Sequence, residues 1–279
     1  MLKVRIVTAL LLVIPMLISL AVESRLPFAL LTLIFIAAAG WEWGRLNQAG
    51  GALPIVMALV LAAACGAALV AGWTREAPPP AWWIAAGLWL AGGVIALRGG
   101  PTRWPHLARA ARWVIGLIAL WAAWLAMSRA HVIGINFMLS VFCLVWMADV
   151  GAYAGGRTMG KRKLAPTISP GKSWEGVYSG VAGVLLLALL WGGWIDHAFA
   201  VDGPSLYQVL WQRFGWIGAA LVLIALCAMS VVGDLVESLV KRAAGMKDSS
   251  NLLPGHGGVL DRIDALLPVF PIALAFAAA

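Results

Sequence analysis

The chain contains 279 residues, of which 62% are hydrophobic and only 11% are charged, and its formal net charge is +8. Ordinary soluble domains carry about 25% charged residues, so this composition excludes a soluble globular protein. The basic excess does not indicate nucleic-acid binding, because basic residues in a polytopic membrane protein are first explained by its orientation in the bilayer.

Apolar runs recur along the whole chain and predict nine membrane-spanning helices. Each run has roughly 17 residues or more, enough to cross a hydrocarbon core about 30 Å thick, and a helix pairs its own backbone groups there. The first run follows Lys3 and Arg5, as in a secretory signal peptide, but its length and the second run close behind favour a retained helix. The predicted spans are about 4–22, 26–44, 53–72, 81–97, 111–127, 132–150, 174–194, 215–234 and 259–278.

The distribution of Lys and Arg predicts the orientation of these spans. If the N-terminus and every second loop face the cytoplasm, 16 of the 20 Lys and Arg residues lie on that face. This asymmetry agrees with the positive-inside rule. We therefore predict a single all-α, multi-pass domain over residues 1–279 in the cytoplasmic (inner) membrane, with the N-terminus and the charge-rich loops in the cytoplasm.

Tryptophan residues cluster near the ends of the predicted spans. This position is typical of an interfacial aromatic belt, and we favour that interpretation over stacking on a nucleotide base. The residues are Trp41, Trp43, Trp73, Trp82, Trp83, Trp104, Trp113, Trp194 and Trp216.

Residues 149–176 form the first charged segment and are predicted to lie at the cytoplasmic face. Asp149 ends an apolar span, where an unpaired carboxylate is costly. Glycines and four cations follow, which predicts a flexible cationic loop. Lys172 then precedes the seventh span, where the free N–H groups and dipole of a helix start favour an anion. The segment is not a Walker A loop, because Pro166 stands where that motif requires Gly.

Residues 234–264 form the second charged segment and carry two pairs of acids at i,i+3 spacing. On helices, Asp234 with Glu237 and Asp261 with Asp264 would each present two carboxylates on one face. Such hard oxygen ligands suit Mg²⁺, which takes one or two carboxylates and completes its shell with water and substrate phosphates. The alternative for these acids is ion pairing with neighbouring cations.

Groups suited to phosphate lie between these acid pairs. Lys241, Arg242 and Lys247 are cations that hold phosphate oxygens well. The Gly-rich segment 254–258 would let backbone N–H groups approach an anion closely. Carboxylates for metal beside cations and a Gly-rich turn predict a site for phosphoryl-transfer chemistry.

Both segments resemble the recurrent blocks of the phosphatidate cytidylyltransferase (CDP-diglyceride synthase) family. In the first block the match covers Asp149, residues 163–166 and residues 169–174. In the second block the match comprises Ser238, Lys241, Arg242, Lys247, Asp248, Ser250, Leu253, Pro254, His256, Gly257, Gly258, Val259, Asp261, Arg262 and Asp264. The resemblance implies the reaction CTP + phosphatidate → CDP-diacylglycerol + pyrophosphate, with Mg²⁺ as cofactor.

The roles expected of individual residues follow from this match and from their positions. Asp234 and Asp261 are the preferred metal ligands. Asp264 is either a ligand or a supporting partner, and Asp149 either binds metal or orients a neighbouring cation. One or two Mg²⁺ ions fit this set of carboxylates. Lys241 and His256 join the three aspartates of the second segment as catalytic candidates. The substrate-binding candidates are Ser169, Lys172, Ser238, Arg242, Lys247, Asp248, Gly257 and Arg262. For Asp248 the alternative is capping of a local turn.

The expected mechanism is in-line attack of the phosphatidate phosphate on the α-phosphorus of CTP. The lipid substrate is expected to enter laterally from the bilayer. A homodimer is considered only by analogy with other membrane enzymes. One alternative is a CTP-dependent lipid kinase, which transfers the γ-phosphoryl group. Another, from a different class, is a polytopic transporter. Acids gathered at span ends, rather than at mid-span, favour chemistry over transport.

Overall fold

A computed structural model describes residues 2–76, 78–199 and 202–278. The side chains of Lys3 and Arg5, which enter the charge count above, lie outside the described part. The structure is almost entirely helical, which confirms the all-α prediction. The elements in chain order are α1 (Leu2–Ala21), α2 (Leu26–Leu46), α3 (Leu53–Val70), α4 (Pro79–Arg103), α5 (Arg109–Ile133), α6 (Ile135–Met159), β1 (Lys163–Ala165), β2 (Ser169–Ser173), α7 (Trp174–Leu190), α8 (Asp196–Ala198), α9 (Leu206–Ala243), α10 (Leu260–Ile263) and α11 (Leu266–Ala278).

Seven helices in the described part are long and apolar enough to cross a membrane, which makes the chain a multi-pass membrane protein. They are α2 to α6, the continuous helical segment Trp174–Ala198 that contains α7 and α8, and α9. Both α1 and α11 are apolar as well, and the predicted count of nine spans and the cytoplasmic N-terminus remain predictions. The ninth predicted span is not one continuous helix, because the chain turns between α10 and α11.

The last helix, α11, lies in the centre of the bundle. It contacts α4, α5, α6 and α9, and its residues Val269, Phe270 and Leu274 are fully buried. Its 13 residues span only about 20 Å at 1.5 Å per residue, less than the hydrocarbon thickness. An apolar helix of this length is typical of a buried core, and here it supports the turn that carries Asp261 and Asp264.

Helices α6 and α7 form the most extensive helix pair, and glycines allow their close approach. A Cβ atom on Gly180 would lie 2.7 Å from the carbonyl oxygen of Ala148, and one on Gly155 would overlap the side chain of Ser179. Small residues at such contacts let two helix backbones pack closely. This packing places the part of α6 around Asp149 beside α7. The helix predicted to end at Asp149 continues beyond it to Met159, so Asp149 lies within α6 and not at its end.

Residues 160–173 form a structured hairpin rather than a flexible loop. The helix α6 continues to Met159, and β1 and β2 then pair antiparallel, with Lys163 opposite Ser173. The Oγ atom of Ser173 accepts a hydrogen bond from the N–H of Gly176 and caps α7. The prediction of a flexible cationic loop is therefore wrong, because glycines that suggested flexibility serve helix packing instead.

Helix α9 is much longer than the span predicted at 215–234. It has 38 residues, or about 57 Å at 1.5 Å per residue, and bends at Gly215, where φ is 65°. A positive φ of this kind is easily adopted only by glycine. The helix therefore carries Asp234, Glu237, Ser238 and Lys241 on its last three turns, which confirms that the first acid pair is helical.

Several tryptophans lie inside the bundle rather than in a belt. Trp43, Trp82 and Trp104 are buried, and the belt interpretation is wrong for them. Trp43 Nε1 donates to the carbonyl oxygen of Arg112, and Trp104 Nε1 donates to Asn47 Oδ1. Their indole N–H groups therefore connect helices, as buried tryptophan requires. Trp73, Trp83, Trp194 and Trp216 are exposed, as a belt demands.

Candidate active site

The two charged segments meet at Lys172 and Asp234. The β1–β2 hairpin directs Lys172 Nζ to within 2.5 Å of Asp234 Oδ2 on α9. The second oxygen of this carboxylate, Oδ1, accepts from Ser238 Oγ at 3.2 Å. Both members of the ion pair are partly exposed, so the pair lies at an opening and not inside the helix bundle. Asp149, within α6, lies in electrostatic range of both residues.

A second ammonium group lies deeper, between carboxylates of α9 and α10. Lys241 Nζ is 2.6 Å from Asp261 Oδ1 and forms an ion pair with Glu237, one helical turn earlier. The side chains of Lys241, Glu237 and Asp261 are at most 12% exposed. Buried charges are tolerated when they are paired in this way.

Asp261 also receives backbone hydrogen bonds from the loop before α10. Its Oδ2 atom accepts from the N–H of Gly258 at 2.7 Å and from the N–H of Ser249 at 3.0 Å. Burial by itself raises the pKa of the Asp261 carboxyl, but hydrogen bonds from its neighbours, Lys241 among them, outweigh burial and lower this pKa to about 2. The carboxylate is therefore held as an anion.

Asp264, one turn further on, has the opposite electrostatic environment. Its Oδ1 atom accepts from the N–H of Ala265 at 2.7 Å. Burial, and then the negative charge of Asp234, raise the pKa of Asp264 to about 8. The positive charges of Lys241 and Lys172 offset this rise only in part, and a divalent cation nearby would lower the pKa of Asp264 further.

The carboxylates of this site fit a Mg²⁺ ion that is bound through few protein ligands. Among the residues that the structure describes, no three or more His, Cys, Asp or Glu side chains converge closely enough to form an all-protein metal cage. Mg²⁺ commonly binds through one or two carboxylates together with water and substrate phosphates, so such a cage is not required. The carboxylates available for this are Asp149, Asp234, Asp261 and Asp264.

Glu42 organises the loop around Asp261, and sequence reasoning missed it. Its fully buried carboxylate accepts from the N–H groups of Val259 at 2.9 Å and Leu260 at 2.6 Å. It also accepts from Ser250 Oγ at 2.5 Å, and Ser249 Oγ lies 3.3 Å from it. The available signal was a lone carboxylate within an apolar run, which is costly and usually functional.

The Gly-rich turn leaves space for these carboxylates. Gly257 has φ of +84°, and a Cβ atom there would lie 2.7 Å from Asp261 Oδ2. A Cβ atom on Gly258 would overlap Ser249 Oγ and Glu42 Oε1. Both glycines are therefore required by close approach, and Gly257 also by its left-handed backbone.

The remaining site candidates surround this turn. Arg262 Nε donates to the carbonyl oxygen of His256 at 2.9 Å, while His256 Nδ1 is buried and has no hydrogen-bond partner in the described part of the chain. Arg242 Nε lies 3.3 Å from the carbonyl oxygen of Ile168, next to Ser169, and connects α9 to the hairpin. Lys247 and Asp248 line two cavities beside the turn.

Comparison with known proteins finds similarity over nearly the whole chain. Residues 3–279 match the Cytidylyltransferase family. A protein of Pseudomonas aeruginosa named phosphatidate cytidylyltransferase is 40% identical over 280 residues, which cover 98% of this chain and 95% of the relative. Proteins with the same name from Haemophilus influenzae and Staphylococcus epidermidis are 48% and 41% identical over about half of this chain, and the matched parts cover 44% and 48% of those relatives.

Proposed function

We propose that this chain, which belongs to the cytidylyltransferase family, is a phosphatidate cytidylyltransferase. It converts CTP and phosphatidate to CDP-diacylglycerol and pyrophosphate. The observation that carries the proposal is the convergence of both charged segments on one cluster. There, Lys172 meets Asp234 and Lys241 meets Asp261. Alternating carboxylates and cations at an opening suit the transfer of a nucleotidyl group between polyanions.

The reaction forms one bond and breaks one. An oxygen of the phosphatidate phosphate attacks the α-phosphorus of CTP, and the bond from that phosphorus to the bridging oxygen of the β-phosphate breaks, which releases pyrophosphate. Because the attacking phosphate is already anionic, it needs no strong base. The larger barrier is repulsion between two polyanions, which positioning and charge neutralisation reduce.

The cations of the chain supply much of that neutralisation. Lys172 and Lys241 are held in place by carboxylates, so their ammonium groups are pre-positioned before substrate binds. Arg242, Lys247 and Arg262 lie around the hairpin and the Gly-rich turn and would hold further phosphate oxygens. Preorganised charges of this kind act without reorganisation at the moment of reaction.

We propose Mg²⁺ as the cofactor, in one or two copies. When bound, the metal neutralises phosphate oxygens and holds them in line for displacement. Asp234 and Asp261 would hold it, with Asp264 and Asp149 as further ligands. The same carboxylates orient the two lysines, so they position both the metal and the ammonium groups relative to phosphate.

The membrane setting of the site is also part of the proposal. Charge asymmetry supports an active site on the cytoplasmic face of the inner membrane, where CTP is available. Phosphatidate would enter between helices from the bilayer, with its acyl chains remaining in lipid. A homodimer is a further proposal that rests on analogy with other membrane enzymes.

The test uses the detergent-purified full chain with phosphatidate, Mg²⁺ and CTP labelled in its γ-phosphate. A cytidylyltransferase releases the label as pyrophosphate and forms unlabelled CDP-diacylglycerol. Transfer of the label to lipid would instead establish the CTP-dependent lipid kinase. Uptake of substrate into vesicles without turnover would establish the transporter.

A further inference from the structure

A cavity of about 390 Å³ lies where the end of α2 meets the loop after α9. It is separate from the acidic cluster, which comprises Asp234, Glu237, Asp261 and Asp264. Trp41 and Arg45 contribute from α2, and Asp248, Ser250 and Asn251 contribute from the loop. The volume falls in the range of roughly 300–1,000 Å³ that is usual for small-molecule sites. Lys247 is among the residues that line this cavity, whereas Asp149, Asp234, Asp261 and Asp264 are not.

The side chains of this cavity offer one aromatic face and unused polar groups. The guanidinium of Arg45 lies 4.7 Å from the ring centre of Trp41 and holds the indole at the cavity. Across the described ranges, the side chains of Asp248 and Asn251 make no ion pair or hydrogen bond with the protein. The cavity is therefore lined by an indole ring with a guanidinium over one face, a carboxylate acceptor and an amide.

A second cavity, of about 560 Å³, adjoins the first and shares Lys247, Asp248 and Asn251 with it. Its remaining lining includes His256, Gly257 and Arg262. Gly257 lies between this cavity and Asp261. A Cβ atom at Gly257 would lie 2.7 Å from Asp261 Oδ2 and 3.6 Å from the Cβ atom of Asp248, so the glycine is adjacent to both residues. A ligand that extends from the first cavity through the second would reach Asp261 with its anionic end among cations.

We propose that the first cavity holds the cytosine ring of the nucleotide, with Trp41 stacking on the ring and Asp248 accepting a hydrogen bond from its exocyclic amino group. The inference rests on the proposed use of CTP. A carboxylate is the acceptor that pairs with the N4 amino group of cytosine, and Asn251 supplies a donor for its ring acceptors. Uracil has a carbonyl oxygen in place of that amino group, and the Asp248 carboxylate would repel it.

The decisive substitution is Asp248→Asn, because asparagine keeps the shape but offers a donor to the O4 atom of uracil. We expect the ratio of kcat/KM for CTP to that for UTP to fall about tenfold or more, since one base contact is worth roughly 1–3 kcal/mol. If the variant does not turn over, equilibrium binding of labelled CTP and UTP to the full chain measures the same preference. An unchanged preference in both measurements overturns the inference.

Stacking is tested by Trp41→Ala and Trp41→Phe. Loss of the aromatic ring is expected to raise KM for CTP roughly tenfold to a hundredfold, because stacking contributes about 1–3 kcal/mol per base, and Trp41→Phe is expected to restore most of the affinity. Inhibition by pyrophosphate should be the same in both variants and in wild type, because the phosphate region is intact. Equal KM values in Trp41→Ala and wild type contradict stacking at this position.

The controls separate this inference from the proposed function. Glu23→Gln changes an exposed acid in the turn between α1 and α2 and should keep the wild-type preference for CTP over UTP. Failure of the wild-type chain to form CDP-diacylglycerol from CTP would contradict the proposed function itself. Wild-type turnover with unchanged base preference in Asp248→Asn would leave the function standing and place the base elsewhere.

Discussion

Lys172 Nζ lies 2.5 Å from Asp234 Oδ2, although the two residues are 62 positions apart in the chain. The ion pair joins the hairpin before α7 to the last turns of α9. Because both side chains are partly exposed, the pair contributes little to stability, about 0–1 kcal/mol for pairs of this kind. Its importance is that it fixes an ammonium group at the opening of the acidic cluster.

Lys172→Ala should therefore reduce activity much more than stability. We expect kcat/KM for cytidylyl transfer to fall about a hundredfold, since a charge-assisted hydrogen bond contributes roughly 1.5–3 kcal/mol. The thermal unfolding midpoint in detergent should stay close to that of wild type. Pyrophosphate release and thermal unfolding measure the two effects, and equal activity in the variant and wild type would exclude Lys172 from the site.

Asp261→Asn should abolish turnover while keeping the size of the side chain. The amide cannot provide the anion that Lys241, Ser249 and Gly258 now surround, and it is a poor ligand for Mg²⁺. We expect kcat to fall by about three orders of magnitude or more, by analogy with the loss of other preorganised electrostatic groups. Turnover is measured over a Mg²⁺ titration, and near-wild-type activity at any Mg²⁺ concentration would place the metal on other residues.

Glu42→Ala should reduce both stability and activity, because it leaves buried donors without an acceptor. The N–H groups of Val259 and Leu260 would lose their partner, at a cost of roughly 1–3 kcal/mol for each group. Glu42→Gln keeps one acceptor oxygen and should give an intermediate loss. Thermal unfolding and pyrophosphate release are measured together, and a stable, fully active Glu42→Ala variant would show that the loop does not depend on α2.

The importance of Glu42 also shows where sequence reasoning ends. Apolar runs and residue spacing were sufficient to predict an all-α, multi-pass chain and the helical acid pair on α9, because both depend on near neighbours. Glu42 contacts Ser250 and Leu260, which are 208 and 218 positions away, and no local pattern encodes such a contact. The belt prediction was wrong for Trp43, Trp82 and Trp104 for the same reason. A tryptophan near a span end faces lipid or a neighbouring helix according to packing that composition does not reveal.

Gly258→Ala tests whether the turn before α10 needs the space that glycine leaves. A single methyl group there would overlap Ser249 Oγ and Glu42 Oε1, so either the loop or the Glu42 carboxylate must move. Overpacking of this kind costs about 1–3 kcal/mol. Because Asp261 Oδ2 accepts from the N–H of Gly258 at 2.7 Å, the same movement would displace the proposed metal ligand, and activity should fall at least tenfold.

Gly50→Ala is the matched control for this substitution, since a Cβ atom at Gly50 would meet nothing within 4 Å. It should leave both the unfolding midpoint and pyrophosphate release close to wild type. A Gly258→Ala variant that behaves like Gly50→Ala would mean that the loop tolerates movement, and Asp261 would then not require the tight placement that Glu42 and the glycine turn give it. If activity falls in Gly258→Ala but not in Gly50→Ala, activity depends on the close approach at Gly258, because the two substitutions add the same methyl group.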